Sequence, residues 1–275
     1  MRTVLLVDIG NTRIKWAVLR GGRLGPQRAE PFAGWKARDF AREVFGGGKD
    51  IDRIIVSSVA GSRVNRVFAD AARRAQRPKP EFVASQRRAG GISTAYVEPW
   101  RLGVDRFVMA IGAHQLAKRR AVCIVSIGTA LTIDLVDARG RHRGGAILPG
   151  PTLMVDSLLT KTDGIRRRAA GSSGTVSKSA GGLLEDGVTR ARGRSRGIFA
   201  RTTREAIDHG ALLAAAAAVD RGIDEARRSV GHSPVVLLTG GGAKSVAPLI
   251  QRPYWSVPDL VLQGLVVLAN EAGTP

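Results

Sequence analysis

Cysteine is almost missing from this 275-residue chain: Cys123 stands alone. It lies inside an apolar run, so it excludes an intrachain disulfide and reads as a small core residue. Long apolar runs are missing too, for none approaches the roughly 20 residues that a membrane-spanning helix needs. Asp8 and Asn11 interrupt the stretch where a signal peptide would have to be uninterruptedly apolar. A cytoplasmic protein with no membrane partner is expected. The four histidines, His114, His142, His209 and His232, have no metal-ligand spacing and are expected on the surface or in hydrogen bonds. Acidic residues are scarce as well, 23 against 43 basic ones, which leaves a formal charge of +20. Such a field attracts polyanions and anionic metabolites. Yet the arginines at 190, 192, 194, 196, 201 and 204 have only Phe199 interleaved among them. They fit a solvated loop and helix face better than a nucleic-acid surface.

Against these absences stand a 44% hydrophobic content and 34 glycines, enough for a substantial α/β core and many tight turns. The stretch from Cys123 to Pro149 organises the rest. An apolar run turns at Gly128-Thr129 and returns through β-branched residues, with the hydroxyls of Thr129 and Thr132 beside a glycine that a bound phosphate can approach closely. Residues Val4 to Leu19 repeat the plan, with Asp8-Ile9-Gly10-Asn11-Thr12 at the turn. This internal duplication predicts two related domains, 1–117 and 118–275.

Along the chain, helices are expected over Ala37 to Phe45, Arg63 to Arg74 and Phe107 to Leu116, with strands over Ile51 to Val59 and Glu81 to Ala84. Gln86 to Leu102 reads as a loop. In the second half a short helix is expected around Leu153 to Leu159, and a basic, mobile loop over Lys161 to Lys178. A helix over Gly181 to Arg190 and a basic break over Ala191 to Arg196 follow. The longest helix, Thr202 to Val230, is expected to be interrupted or ended near Gly210 or Gly222. A strand, Pro234 to Leu238, delivers Thr239-Gly240-Gly241-Gly242 to a helix start at Ala243, and Asp259 to Asn270 closes the chain as an apolar helix. Asp105 falls in the first turn of its helix, where a carboxylate caps free amides and would keep a low pKa. Its neighbour Arg106 fits either a salt bridge or an anionic ligand.

Two strand-turn-strand units followed by strand-TGGG-helix resemble the actin-like ATPase and sugar-kinase superfamily. More specifically, the chain resembles the type III pantothenate kinases, a family that also includes proteins named Bvg accessory factors. The resemblance rests on Asp8 to Thr12, on Tyr96 to Arg106 (YVEPWRLGVDR), on Gly128-Thr129-Ala130 with Thr132 and Asp134, on Gly144-Gly145 with Pro149-Gly150, on Thr203, Ala206 and Gly210, and on Thr239-Gly240-Gly241. It implies two ribonuclease H-like domains with the nucleotide site in the cleft between them, and ATP-dependent phosphorylation of pantothenate on the way to coenzyme A. It further implies Asp8 on the Mg²⁺ that accompanies ATP, and Gly10, Asn11, Thr12, Gly128 and Thr129 on the phosphates. Asp105 becomes the general base, and Tyr96, Gly103, Arg106 and Thr203 the pantothenate site. A homodimer is implied too. One departure matters: Ser126 stands where the family usually has an acidic residue before the second turn, associated there with K⁺ or NH₄⁺. A serine can coordinate a cation but brings no charge, so activation by that ion is not carried over with the rest. Two other readings stay open: a kinase-like factor with lost turnover in a regulatory or nucleic-acid-associated role, and a kinase for another small hydroxylated acceptor.

Overall fold

The computed structural model describes residues 2–47, 50–170 and 199–271. The chain opens with β1 (Thr3–Ile9), β2 (Arg13–Arg20), β3 (Arg23–Leu24) and β4 (Arg28–Pro31), then α1 (Ala37–Phe45), β5 (Arg53–Ser58), α2 (Gly61–Arg74) and β6 (Glu81–Phe82). Next come β7 (Arg88–Ala89), β8 (Ile92–Thr94), a 3-10 turn at Pro99–Arg101, and α3 (Val104–Leu116). The second half holds β9 (Val122–Ile127), β10 (Ala130–Val136), β11 (Arg141–Pro149), α4 (Pro151–Lys161), α5 (Asp163–Ala170), α6 (Thr203–Val230), β12 (Val235–Thr239), α7 (Ala243–Val246), β13 (Trp255–Ser256) and α8 (Leu260–Glu271). One sheet runs β3-β2-β1-β5-β6 with β4 also on β2, and the other runs β13-β12-β9-β10-β11-β8-β7. Two compact units result: residues 1–124, 134–144 and 259–275 form one, and 125–133 with 145–258 form the other.

The first unit is built on the alternation of β1. Leu5, Val7 and Ile9 face one way, into a core with Phe40 of α1 and Phe68 of α2, whose rings meet edge to face at 5.7 Å. Val4 and Leu6 face the other way, against Val108 of α3 and Leu262 and Leu265 of α8. Each large apolar side chain fully buried in this way contributes about 1.5–3 kcal/mol. Helices α3 and α8 cross backbone to backbone, because a methyl group on Gly264 would overlap the Val108 carbonyl oxygen. Cys123 is buried here, its thiol pushed up to about 12 by desolvation and by the charge of Asp134, so it is an inert core residue. The second unit packs Val155 of α4, Ala169 of α5 and Ile207 and Ala211 of α6 into a core of its own.

Three expectations are corrected. Residues 86–102 are not all loop: β7 and β8 form a small antiparallel hairpin, and β8 pairs in parallel with β11 through Ser93 and Thr94. Residues 163–170, expected in a mobile loop, form α5, which starts on Asp163 and is braced by the Arg166–Asp163 ion pair at 2.5 Å. The long helix α6 passes through Gly210 and Gly222 without a break. At Gly222 the missing side chain makes room for Ile133, so packing compensates for the low helix propensity of glycine. The helix expected over 181–190 and the basic break over 191–196 lie outside the described residues. Among the described residues, no helix is long and apolar enough to cross a membrane.

Candidate active site

The first glycine turn joins β1 to β2. Gly10 N–H donates to the Arg13 carbonyl at 3.0 Å, and Asn11 and Thr12 stand exposed at the tip. Asp8, two residues earlier, pairs across the sheet with Lys15 of β2 and Ser57 of β5. By the two-residue period of a strand it shares the face of Val4 and Leu6, the one that packs on α3. Its carboxyl is buried and forms no hydrogen bond among the described residues. Its pKa is raised to about 6, first by desolvation, with Lys15 opposing and the negative charge of Asp105 adding. A desolvated carboxylate with a second carboxylate near it is a set of hard oxygen donors. Mg²⁺ commonly takes one or two carboxylates and completes its shell with water and substrate phosphates, so these residues fit that ion.

Helix α3 begins after Gly103, and Asp105 lies in its first turn. Asp105 Oδ1 accepts from the Arg106 N–H at 2.8 Å. Its pKa is raised, chiefly by burial, against the opposing amide and charge of Arg106 and with Asp134 adding. The low value expected of a helix-start carboxylate is thus reversed, because desolvation outweighs the amide and the charge of Arg106. Arg106 is buried at 4% exposure. Its Nε and Nη2 donate to the two oxygens of Asp134 at 3.0 and 2.6 Å, and its Nη1 donates to the Tyr96 hydroxyl at 3.1 Å. Its pKa is raised: burial works against the charge, and the hydrogen bonds and charge of Asp134 outweigh it. Of the two roles left open for Arg106, the salt bridge is formed. His142 Nε2 lies 2.8 Å from Asp134 Oδ1, with the ring wholly buried.

The second glycine turn, between β9 and β10, is equally tight: Gly128 N–H donates to the Ala130 carbonyl at 2.9 Å. Its own unit packs around it. Gly150 N–H donates to Thr129 O and Gly242 N–H to Ile127 O, both at 2.9 Å. A side chain at Gly150 would overlap the Gly128 carbonyl oxygen, and one at Gly240 would overlap that of Ile127. The three glycine-bearing segments of this half therefore converge on one turn, with Gly128 and Thr129 exposed and Ser126 half-buried beneath them. Thr203 opens α6 directly after the cap Thr202, whose hydroxyl accepts from Glu205 N–H at 3.2 Å.

The structure therefore brings Asp8, Tyr96, Gly103, Asp105 and Arg106 together in one unit, and Ser126, Gly128 and Thr129 in the other. Thr203 forms no hydrogen bond to any of them among the described residues. Sequence reasoning missed the Asp134–His142 pair: the two sit on the consecutive strands β10 and β11, but their joint burial depends on packing that the sequence does not display.

Comparison with known proteins gives this arrangement its context. The family model described as type III pantothenate kinase matches residues 4–225. A type III pantothenate kinase from Nitrosococcus oceani is 32% identical over 272 residues, covering 98% of this chain and 94% of its own. One from Herminiimonas arsenicoxydans is 35% identical, with 97% of each chain covered. Among solved structures, MreB 5 of Spiroplasma citri bound to AMPPNP superposes with a TM-score of 0.53 at 11% identity, over 99% of this chain and 97% of that one. A ROK family glucokinase from Streptomyces griseus, in complex with glucose and AMPPNP, gives 0.50 at 12% identity, over 98% of this chain and 99% of that one. The fold is thus the α/β one of the actin-like ATPases and sugar kinases, and the match along nearly the whole sequence makes the chain a member of the type III pantothenate kinase family.

Proposed function

We propose that this protein transfers the γ-phosphoryl group of ATP to the primary hydroxyl of pantothenate, giving 4'-phosphopantothenate and ADP, the first step towards coenzyme A. The observation that carries the reading is the pair of desolvated carboxylates, Asp8 and Asp105, set on the face between β1 and α3 in a chain of this family. Asp105 is the general base: it accepts the hydroxyl proton as the new O–P bond forms and the bond to ADP breaks. Burial moves its pKa towards the working pH, where a base is most effective. Asp8 would hold the divalent ion that accompanies ATP, and that ion would supply charge neutralisation for the phosphates. Gly10, Asn11 and Thr12 face the phosphates, as do Gly128 and Thr129. Tyr96, Gly103, Arg106 and Thr203 bind pantothenate. Three of the five Arg106 N–H groups are engaged by Asp134 and Tyr96, which leaves two for the substrate.

The same reading takes the protein to be a cytoplasmic homodimer that uses exposed apolar residues such as Leu153 and Leu158 of α4, a state that sedimentation would measure. The basic character of the second half does not favour a nucleic-acid role, since Arg204 is engaged at 3.0 Å by Asp208 along its own helix. The test is phosphopantothenate formation from pantothenate and Mg·ATP, beside the Asp105→Asn variant. Turnover is expected to fall by about 10²–10⁴-fold in that variant. Near-normal turnover would return Asp105 to a capping role, and a folded wild type that forms no product would favour the regulatory reading.

A further inference from the structure

His142 is linked to two of the side chains assigned above to pantothenate, to Arg106 through Asp134 and to Tyr96 by ring proximity. Its Nε2 meets Asp134 Oδ1, the oxygen that also accepts from Arg106 Nη2. Its backbone carbonyl accepts from Ala95 N–H at 3.0 Å, one residue before Tyr96. Its ring lies 5.9 Å from the Tyr96 ring, and the Arg106 guanidinium lies 5.9 Å from that same ring. Asp134 and His142 are 1% and 0% exposed, so neither can reach a ligand itself. An ionised carboxylate only accepts, so Nε2 carries the hydrogen. The other ring nitrogen, Nδ1, is buried without a hydrogen-bond partner among the described residues. A buried polar atom left unsatisfied costs free energy, and that cost is carried here by a residue whose side-chain hydrogen bond goes to the carboxylate that holds Arg106.

We propose that Asp134 and His142 are positioning residues for pantothenate, fixing Arg106 and Tyr96 in the one arrangement that aims the two remaining Arg106 N–H groups at the substrate. The inference rests on the pantothenate reading above. It has a physical consequence for recognition. Asp134 already balances the Arg106 charge, so the site selects by the direction of its hydrogen bonds more than by net attraction for an anion. A guanidinium free to rotate would bind a broader set of acids, each less tightly.

The test is steady-state kinetics of the full chain, with pantothenate and ATP each varied at saturating levels of the other, for wild type, His142→Phe and His142→Gln. A glutamine amide nitrogen can reach the position of Nε2 and restore the donor; phenylalanine fills the space without it. His142→Phe is expected to raise the KM for pantothenate about tenfold, the size of a lost hydrogen bond to a charged group, with the KM for ATP unchanged. His142→Gln should return to within about threefold of wild type. Asp134→Asn, which keeps the shape and removes the charge, should show the same split, and it serves if the phenylalanine variant does not fold. An unchanged pantothenate KM, a rise in both constants, or a glutamine variant no better than phenylalanine would overturn the proposal. A wild type that turns over no pantothenate would instead overturn the reading beneath it, a different and distinguishable result.

Discussion

The two glycine turns, expected from the sequence to follow one plan, differ in what defines them. In the turn between β1 and β2 the defining group is a charge: Asp8, buried, without a hydrogen bond among the described residues, and held near a second carboxylate. In the turn between β9 and β10 the corresponding position is Ser126, and the defining feature is backbone packing, with Gly150, Gly240 and Gly242 closed around Ile127, Gly128 and Thr129. A phosphate site needs both a cation to share and a rigid backbone to lie against. The two turns thus differ in kind, one marked by a buried charge and the other by close backbone packing.

The largest effect is expected where the charge sits. The folded-state pKa of Asp8, about 6, lies above its ordinary 3.8, so the folded chain binds that proton more tightly than the unfolded one. Stability from this group is therefore greatest below pH 4 and falls as pH rises to about 6, by about 3 kcal/mol in all. Asp8→Asn should remove that loss. Thermal melts of the metal-free protein between pH 4 and 8 should show the variant more stable than wild type at pH 7, while Mg·ATP turnover collapses. A variant that melts lower at pH 7 would mean that Asp8 is satisfied in the free protein. The next effect belongs to the other turn. Gly150→Ala should cost about 1–3 kcal/mol through overpacking and raise the KM for ATP, measured by urea midpoint and by kinetics. An unchanged midpoint would show the cradle to be loose. The smallest is Ser126→Asp, which restores an acidic residue in a half-buried place: K⁺ should then stimulate turnover a few-fold, about 1 kcal/mol or less. Equal response to K⁺ in both proteins would separate this position from any cation.

Much of this contrast could be read before the fold was known. The β1–β2 and β9–β10 turns, α1 and α2 follow from local periodicity, and the departure at Ser126 shows when the second turn is set against the pattern that the resemblance implies. What escaped is non-local or energetic. Strands β7 and β8 are two and three residues long, too short to show an alternation, and they exist because β11 lies beside them. The continuity of α6 through Gly222 depends on a methyl-sized space used by Ile133. The raised pKa of Asp105 is a matter of burial, which a helix-start position does not reveal. His142 gave no signal of its own, since one histidine in a basic stretch looks the same whether it meets solvent or a buried carboxylate.

The crossing of α3 with α8 has a consequence for the order of biosynthesis. The helix that carries Asp105 and Arg106 is complete by Leu116, but its partner begins at Leu260, about 140 residues later. At ribosomal speeds of roughly 5–20 residues per second, that interval is on the order of 10–30 s. Until then the Gly264 contact and the Leu262 and Leu265 packing are missing, and the apolar face of β1 that holds Val4 and Leu6 is uncovered on that side. The nascent chain thus carries Asp105 and Arg106 long before the helix that packs behind them, so a ribosome that stalls before Leu260 leaves α3 translated and its packing partner absent.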